Sequence, residues 1–208
     1  MSGHRVALTF DAEHPDRPTE PGVTERLLDT LATAEVSATF FIQGRWAEAE
    51  PKTARRIAVD GHLVGHHSHY HARMPLLTDA GVAEDLAEAG RVIAEVTGID
   101  PRPWFRCPFG AGWDDPRVLA AVTSAGYRHV GWHIAADDWE PDRTGAMIER
   151  DVVAGVEANG DGAVILLHSW PRGTLDALPN TVARLREAGV AFVRVDELDE
   201  VPARPSWA

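Results

Sequence analysis

Short apolar runs rich in β-branched and aromatic residues alternate along the chain with stretches in which apolar positions return every three or four residues. Runs of the first kind cover residues 6–10, 38–42, 63–65, 104–107, 127–132, 163–167 and 191–195. Several are apolar throughout, as expected for strands covered on both faces. Between them Val82, Leu86, Ala89, Ile93 and Val96 step by four, three, four and three residues and predict one face of a helix. Asp115 before Pro116 reads as an N-cap with proline at the first helical position, and Gly126 as a stop after Val118, Leu119 and Val122. Gly98 and Gly189 end their helices in the same way. The alternation predicts an α/β protein of about seven parallel strands joined by crossover helices. Its architecture is a barrel-like (β/α) fold, with an open doubly wound sheet as the competing topology. The Pro-containing segment after Val201 is expected to be loosely held.

No internal repeat or linker interrupts the 208 residues, so residues 1–208 are read as a single domain, large enough to bury a core without staples. No apolar run approaches the ~18 residues that span a bilayer, which argues against a membrane partner. The formal charge of −12 disfavours nucleic acid, whose phosphates need a clustered positive face. Cysteine occurs once, at Cys107, so an intrachain disulfide is impossible. The first ten residues lack a basic segment followed by an apolar one, and the expectation is a cytoplasmic protein acting on a small-molecule or carbohydrate substrate.

The unusual polar residues fall just after the ends of the predicted strands: Asp11 and Glu13, His67 to His71, Arg106, Asp138 and His168. In a parallel barrel those ends converge on one face. His67 and His71, spaced H-x-x-x-H, would lie on one side of a helical turn within reach of one cation, the alternative being a merely His-rich loop with His62, His66 and His69. Asp11 and Glu13 alternate onto one side of an extended backbone, so one can ligate a cation while the other serves as a base; a capping role is the alternative. His14 is expected to face water. His168 closes an apolar strand, and Asp138 offers a carboxylate that would fix its tautomer and raise its pKa, as a general acid requires. Arg106 could hold Asp11 through a bidentate contact or simply form a surface ion pair. Trp104, Trp113, Trp132, Trp139 and Trp170 lie near the same predicted face, where aromatic rings can stack on sugars or belong to the core.

In this order the motifs resemble the polysaccharide deacetylase (NodB-homology, carbohydrate esterase family four) proteins over nearly the whole chain. Thr9-Phe10-Asp11 resembles the family's T-F-D-D-G; residues 38–41, A-T-F-F, its second strand; and residues 61–71, G-H-L-V-G-H-H-S-H-Y-H, its G-H-E-I-G-N-H-T-x-x-H. Arg106-Cys107-Pro108-Phe109-Gly110 resembles R-x-P-Y-G, Asp138-Trp139 the D-W motif and Leu166-Leu167-His168 the closing L-x-H; residues 192–195 match the last strand. The resemblance implies a distorted (β/α) barrel of about seven strands. It further implies Asp11 as catalytic base, a divalent metal, expected to be zinc, on His67 and His71, Arg106 positioning Asp11, and Asp138 tuning His168 as general acid. Trp139, Phe109 and Trp113 are the expected substrate contacts.

Two departures stand out. The family's metal-binding second aspartate falls at Ala12, so the third ligand must come from elsewhere, and Glu13 is the candidate. An aspartate often found before D-W is Ala135 here. The expected activity is metal-dependent removal of an N-acyl group, an N-acetyl above all, from an amino sugar or related amide. Ala12 also motivates a metal-independent hydrolase of small cyclic amides or ureides, and a non-catalytic carbohydrate-binding member is the third reading.

Overall fold

The structure, a computed structural model, describes residues 3–16 and 20–207. Its strands are β1 (Arg5–Ala12), β2 (Thr39–Ile42), β3 (Leu63–His66), β4 (Trp104–Phe105), β5 (Arg128–His129), β6 (Ile134–Ala135), β7 (Ala163–His168) and β8 (Ala191–Val193). Between them run α1 (Val23–Thr33), α2 (Gly44–Ala49), α3 (Pro51–Val59), α4 (Asp79–Thr97), α5 (Pro116–Ser124), α6 (Gly145–Asn159) and α7 (Arg172–Glu187). The strand pairings are parallel, and the sheet reads β5-β4-β3-β2-β1-β7-β6. Leaving β1 one way gives two, three, four, five and the other way seven, six, which is the cyclic order of a barrel opened between β5 and β6. A doubly wound sheet would instead reverse its numbering around β1. β8 pairs with residues 5–7 of β1, below the stretch from Thr9 to Ala12 that pairs with β2.

Strand alternation separates an outward from an inward core, beside a third cluster of Met74, Phe105, Val118 and their neighbours. Val6, Leu8, Phe10 and Ala12 of β1 pack outward with Leu27, Leu28, Leu31, Ile93 and Val152 of the helices. Ala7 faces inward with Phe41, Trp104, Trp132, Val164 and Leu166. Asp11 has the parity of Ala7 and Thr9, so the acid that ends the strand points into the barrel. The α4 face predicted from periodicity is covered throughout: Val82 and Leu86 pack with Met74, Phe105 and Val118, while Ala89 and Ile93 join the outward core with Val96 against it. Asp115 caps α5 by accepting from the Arg117 and Val118 amides.

The run at residues 127–132 is not one strand. Its middle crosses the barrel: the Val130 and Gly131 carbonyls accept from Arg106, and the Gly131 and Trp132 amides donate to the carbonyls of Pro202 (2.7 Å) and Arg204 (3.2 Å). The ladder therefore breaks after β5 and resumes in β6, a strand the sequence pattern did not predict. The segment after Val201, expected to be loose, is thus bonded across the open seam. Gly131 admits it, since a Cβ there would lie 2.0 Å from the Arg204 carbonyl oxygen.

Histidines whose Nδ1 accepts a backbone amide hold the scaffold as neutral rings, His62 and His129 among them. His62 Nδ1 accepts the Ala38 amide and His129 Nδ1 the Cys107 amide. Burial pushes their pKa values down from 6.5 to about 4 and about 3, with the Arg106 charge adding to the shift at His129. As pH falls the unfolded chain takes these protons first, so the stability they contribute is complete above the unfolded value of 6.5 and declines below it until the folded values are passed. Thermal melting should show stability falling between pH 6.5 and 4 by up to about 1.4 kcal/mol per pH unit for each ring. His62→Asn, whose Oδ1 can accept the same amide, should flatten part of that slope.

Candidate active site

Strand ends β1, β3, β4, β6 and β7 deliver their polar residues to one pocket of about 310 Å³ lined by Asp11, Glu13, His67, His71, Trp139 and His168, among others. At its floor lies Arg106, completely buried. Its Nη1 donates to Asp11 Oδ1 at 2.8 Å and to Thr9 Oγ1 at 2.9 Å, and Nε and Nη2 donate to the Val130 and Gly131 carbonyls. Its guanidinium carbon lies 4.1 Å from the centre of the Phe41 ring and 5.4 Å from that of Trp132. The contact with Asp11 is single rather than bidentate, and the pair is no surface ion pair. Nη1 serves both Thr9 and Asp11 Oδ1 while Nε and Nη2 are spent on two carbonyls, which leaves Asp11 Oδ2 free of the guanidinium, 3.5 Å from His67 Nε2.

Glu13 meets both metal-candidate imidazoles. Its Oε2 is 3.2 Å from His67 Nε2 and in close contact with His71 Nε2; its Oε1 is 2.8 Å from His14 Nε2 and 3.7 Å from His168 Nε2. Burial would raise the Glu13 pKa, but hydrogen bonds from His14, His67 and His71 outweigh it and hold the carboxyl well below its ordinary value. His14, expected to face water, is instead three-quarters covered in the pocket wall. Ala12 has no part in the site: its methyl is buried in the outward core.

His67 and His71 do not share a helical turn. Residues 67–73 form a loop in which Ser68 and His71 have positive φ (62° and 55°). Side chains replace the helical hydrogen bonds, with Ser68 Oγ accepting the His71 amide and Asp85 accepting those of His69 and Tyr70. The His-rich run is thereby sorted. His66 turns to the Leu86 carbonyl and His69 packs away from the pocket, while His67 and His71 face Glu13. His67 Nδ1 lies 2.9 Å from the Arg106 carbonyl, which fixes a proton on Nδ1 and presents the Nε2 lone pair to the site.

The residues present fit a divalent cation. One ligand atom each from Glu13, His67 and His71 lies within 4.8 Å of the others, and two imidazoles with one carboxylate form a donor set suited to zinc.

Opposite, His168 Nδ1 sits 2.7 Å from Asp138 Oδ1, and Asp138 Oδ2 accepts the His168 amide at 2.7 Å and the Thr174 hydroxyl at 2.5 Å. Burial disfavours the charged imidazole, but Asp138, Glu13 and Asp11 outweigh it and push the pKa up to about 9. Trp139 stands edge-on to His168, with ring centres 5.4 Å apart, and Phe109 lies 4.5 Å from His71. Trp113 is not among the lining residues. Backbone turns at Phe109, Gly110 and Gly112, all of positive φ, carry the chain off the pocket before it is reached. Trp132, Trp170 and Trp207 do line it, whereas Trp104 packs in the barrel interior. Cys107 also borders the pocket, but burial pushes its thiol up to about 12, far from the thiolate a nucleophile needs.

Several contributors were not singled out from sequence: Thr9, Thr174, Arg73 and Trp207. Thr9 stands inside the T-F-D motif and was the most findable; Trp207 lies in the segment expected to be loose.

Residues 1–130 match the sequence family described as Polysaccharide deacetylase. The peptidoglycan-N-acetylmuramic acid deacetylase PdaA of Bacillus subtilis (strain 168) is 28% identical over 194 residues, 93% of this chain and 70% of that protein. The family 4 carbohydrate esterase from Streptomyces lividans, solved in complex with acetate, superposes with a TM-score of 0.80 at 29% identity, covering 92% of this chain and 93% of the esterase. A mutant CE4 family pseudoenzyme with restored enzymatic activity matches at 26% identity and a TM-score of 0.82, covering 94% and 67%.

The buried ion pair makes a sharp stability prediction. Asp11→Ala strands a buried guanidinium and should cost about 3–5 kcal/mol by denaturant unfolding. Asp11→Asn keeps a carbonyl oxygen for Arg106 and should cost clearly less.

Proposed function

The chain belongs to the polysaccharide deacetylase family, and on that premise we propose that it is a divalent-metal-dependent hydrolase that removes an N-acyl group, an N-acetyl above all, from an amino sugar. The observation that carries this reading is the meeting of Glu13, His67 and His71 between a free Asp11 carboxylate oxygen and the protonated His168 imidazole. Ala12, which motivated a metal-independent cyclic-amide hydrolase, is accounted for by Glu13 and gives that alternative no support.

Glu13, His67 and His71 would hold the cation, which supplies a Lewis acid for the acyl oxygen and the attacking water. Asp11, anchored through Oδ1 by Arg106, directs Oδ2 at that water and takes its proton as oxygen adds to the acyl carbon. His168, its Nδ1 proton held by Asp138, gives the Nε2 proton to the nitrogen as the C–N bond breaks. The products are a carboxylic acid and an amine. Trp139, packed against His168, and Phe109, packed against His71, shape the walls around the acyl group. The retained base, acid and ligand set argue against a purely binding role.

Zinc at 100 times its Kd should stabilise the wild type by about 2.7 kcal/mol in thermal denaturation, and His67→Ala or Glu13→Gln should abolish the gain. A zinc response that survives both substitutions would place the ion elsewhere.

In an acetate-release assay on N-acetylated oligosaccharides, Asp11→Asn should lose about 10²–10⁴-fold in rate. Because His168 works protonated, activity should fall as pH rises through its pKa, at or below about 9 once a cation offsets the Glu13 charge. Asp138→Asn removes the carboxylate that holds that proton, so the alkaline limb should move to lower pH.

A further inference from the structure

On the pocket rim stands Arg73, a cation with no counterion among the described residues. It lies on the loop between β3 and α4, two residues beyond His71, and its guanidinium carbon sits 4.3 Å from the centre of the Phe109 ring. Phe109 in turn packs 4.5 Å from the His71 ring, so the guanidinium stands one aromatic ring away from a candidate metal ligand. It is the one lysine or arginine among the described residues that lines the pocket. Among the described residues no carboxylate pairs with it and no carbonyl accepts from it, although the chain carries 32 acidic residues and a net charge of −12. Other arginines flanking the β1 loop are neutralised, Arg45 by Asp16 and Arg172 by Glu20.

At the pocket Asp11 answers Arg106, Asp138 answers His168, and Glu13 meets the imidazoles of His14, His67 and His71, so none of these acids pairs with Arg73. The cation–π contact with Phe109 holds the guanidinium at the rim, no acceptor takes its N–H donors among the described residues, and that fork matches the paired oxygens of a carboxylate or phosphate. A neutral sugar would gain little from it. On a strongly acidic protein an anionic sugar would be repelled unless a local cation received it.

We propose that Arg73 is an anion-recognising group at the mouth of the pocket, and that the preferred substrate is an N-acylated amino sugar bearing a carboxylate or phosphate near its acylamino group. This substrate class rests on the deacetylase reading. Arg73 selects the substrate and has no part in the bond-breaking steps.

The test compares kcat/KM for acetate release by the zinc-loaded protein on three probes: N-acetylglucosamine, N-acetylmuramic acid, which adds a carboxylate to the same ring, and N-acetylglucosamine 6-phosphate. Wild type should favour at least one charged probe over the neutral one by roughly tenfold, a partly exposed charge-assisted contact. Whichever charged probe is preferred identifies the anion. Arg73→Gln should collapse that ratio towards about one, and Arg73→Lys should retain part of it as a point charge. A wild-type ratio near one, or a ratio unchanged in Arg73→Gln, overturns the proposal while acetate release still upholds the deacetylase reading. If no probe is hydrolysed, titration calorimetry with the same three decides. Tighter binding of a charged probe that Arg73→Gln removes supports the anion site without the activity, and equal or absent binding in both proteins rejects it.

Discussion

The structure depends on a guanidinium with no access to water. Arg106 sits inside the barrel among Phe41 and Trp132, where an uncompensated charge would be prohibitive, so each of its donors must find an acceptor. Meeting that demand fixes the Asp11 carboxylate, the Thr9 hydroxyl and the chain at Val130 and Gly131 around one point. The same residue sends its own carbonyl to His67, so a single side chain and its backbone orient both the Asp11 carboxylate and a metal-candidate imidazole. Conformational freedom is removed before any substrate arrives, which is the form of preorganisation that catalysis requires.

Around this centre the fold separates charges by sign and by task. Asp11 answers Arg106, Asp138 answers His168, and Glu13 is left to gather imidazoles. Each carboxylate therefore has a different electrostatic partner, Asp11 and Glu13 in the pocket lining and Asp138 buried behind His168. The histidines divide similarly. Those whose Nδ1 accepts a backbone amide, such as His62 and His129, are kept neutral by burial, whereas His168, with a carboxylate behind it, is kept charged.

The open seam of the barrel has a structural consequence for the pocket. Where β5 and β6 fail to pair, residues 202–204 bond to the exposed amides, and Trp207 is brought against Trp132, with ring centres 4.9 Å apart. A sheet edge that would otherwise be unsatisfied is thereby covered, and the covering segment supplies part of the pocket wall.

Much of this was legible in the sequence because strand periodicity is local. Seven apolar runs, the stripe of α4 and the Asp115 cap depend on neighbours a few residues away, and the polar residues that end those runs were visible as exceptions to the pattern. The D-x-E spacing likewise put Asp11 and Glu13 on one side by strand parity alone. Tertiary structure decided what local periodicity does not encode. The His67–His71 loop is non-helical because Ser68 and Asp85, the latter from α4, take over its amides. The 127–132 run breaks because Arg106 and the 202–204 segment compete for its backbone. Trp113 is turned away by left-handed residues, while Trp207 is drawn in by contacts formed 75 positions earlier, at Trp132. Sequence thus determined which residues could carry the chemistry, and long-range hydrogen bonding determined which of them meet, because satisfying buried polar groups is a property of the assembled barrel rather than of any segment.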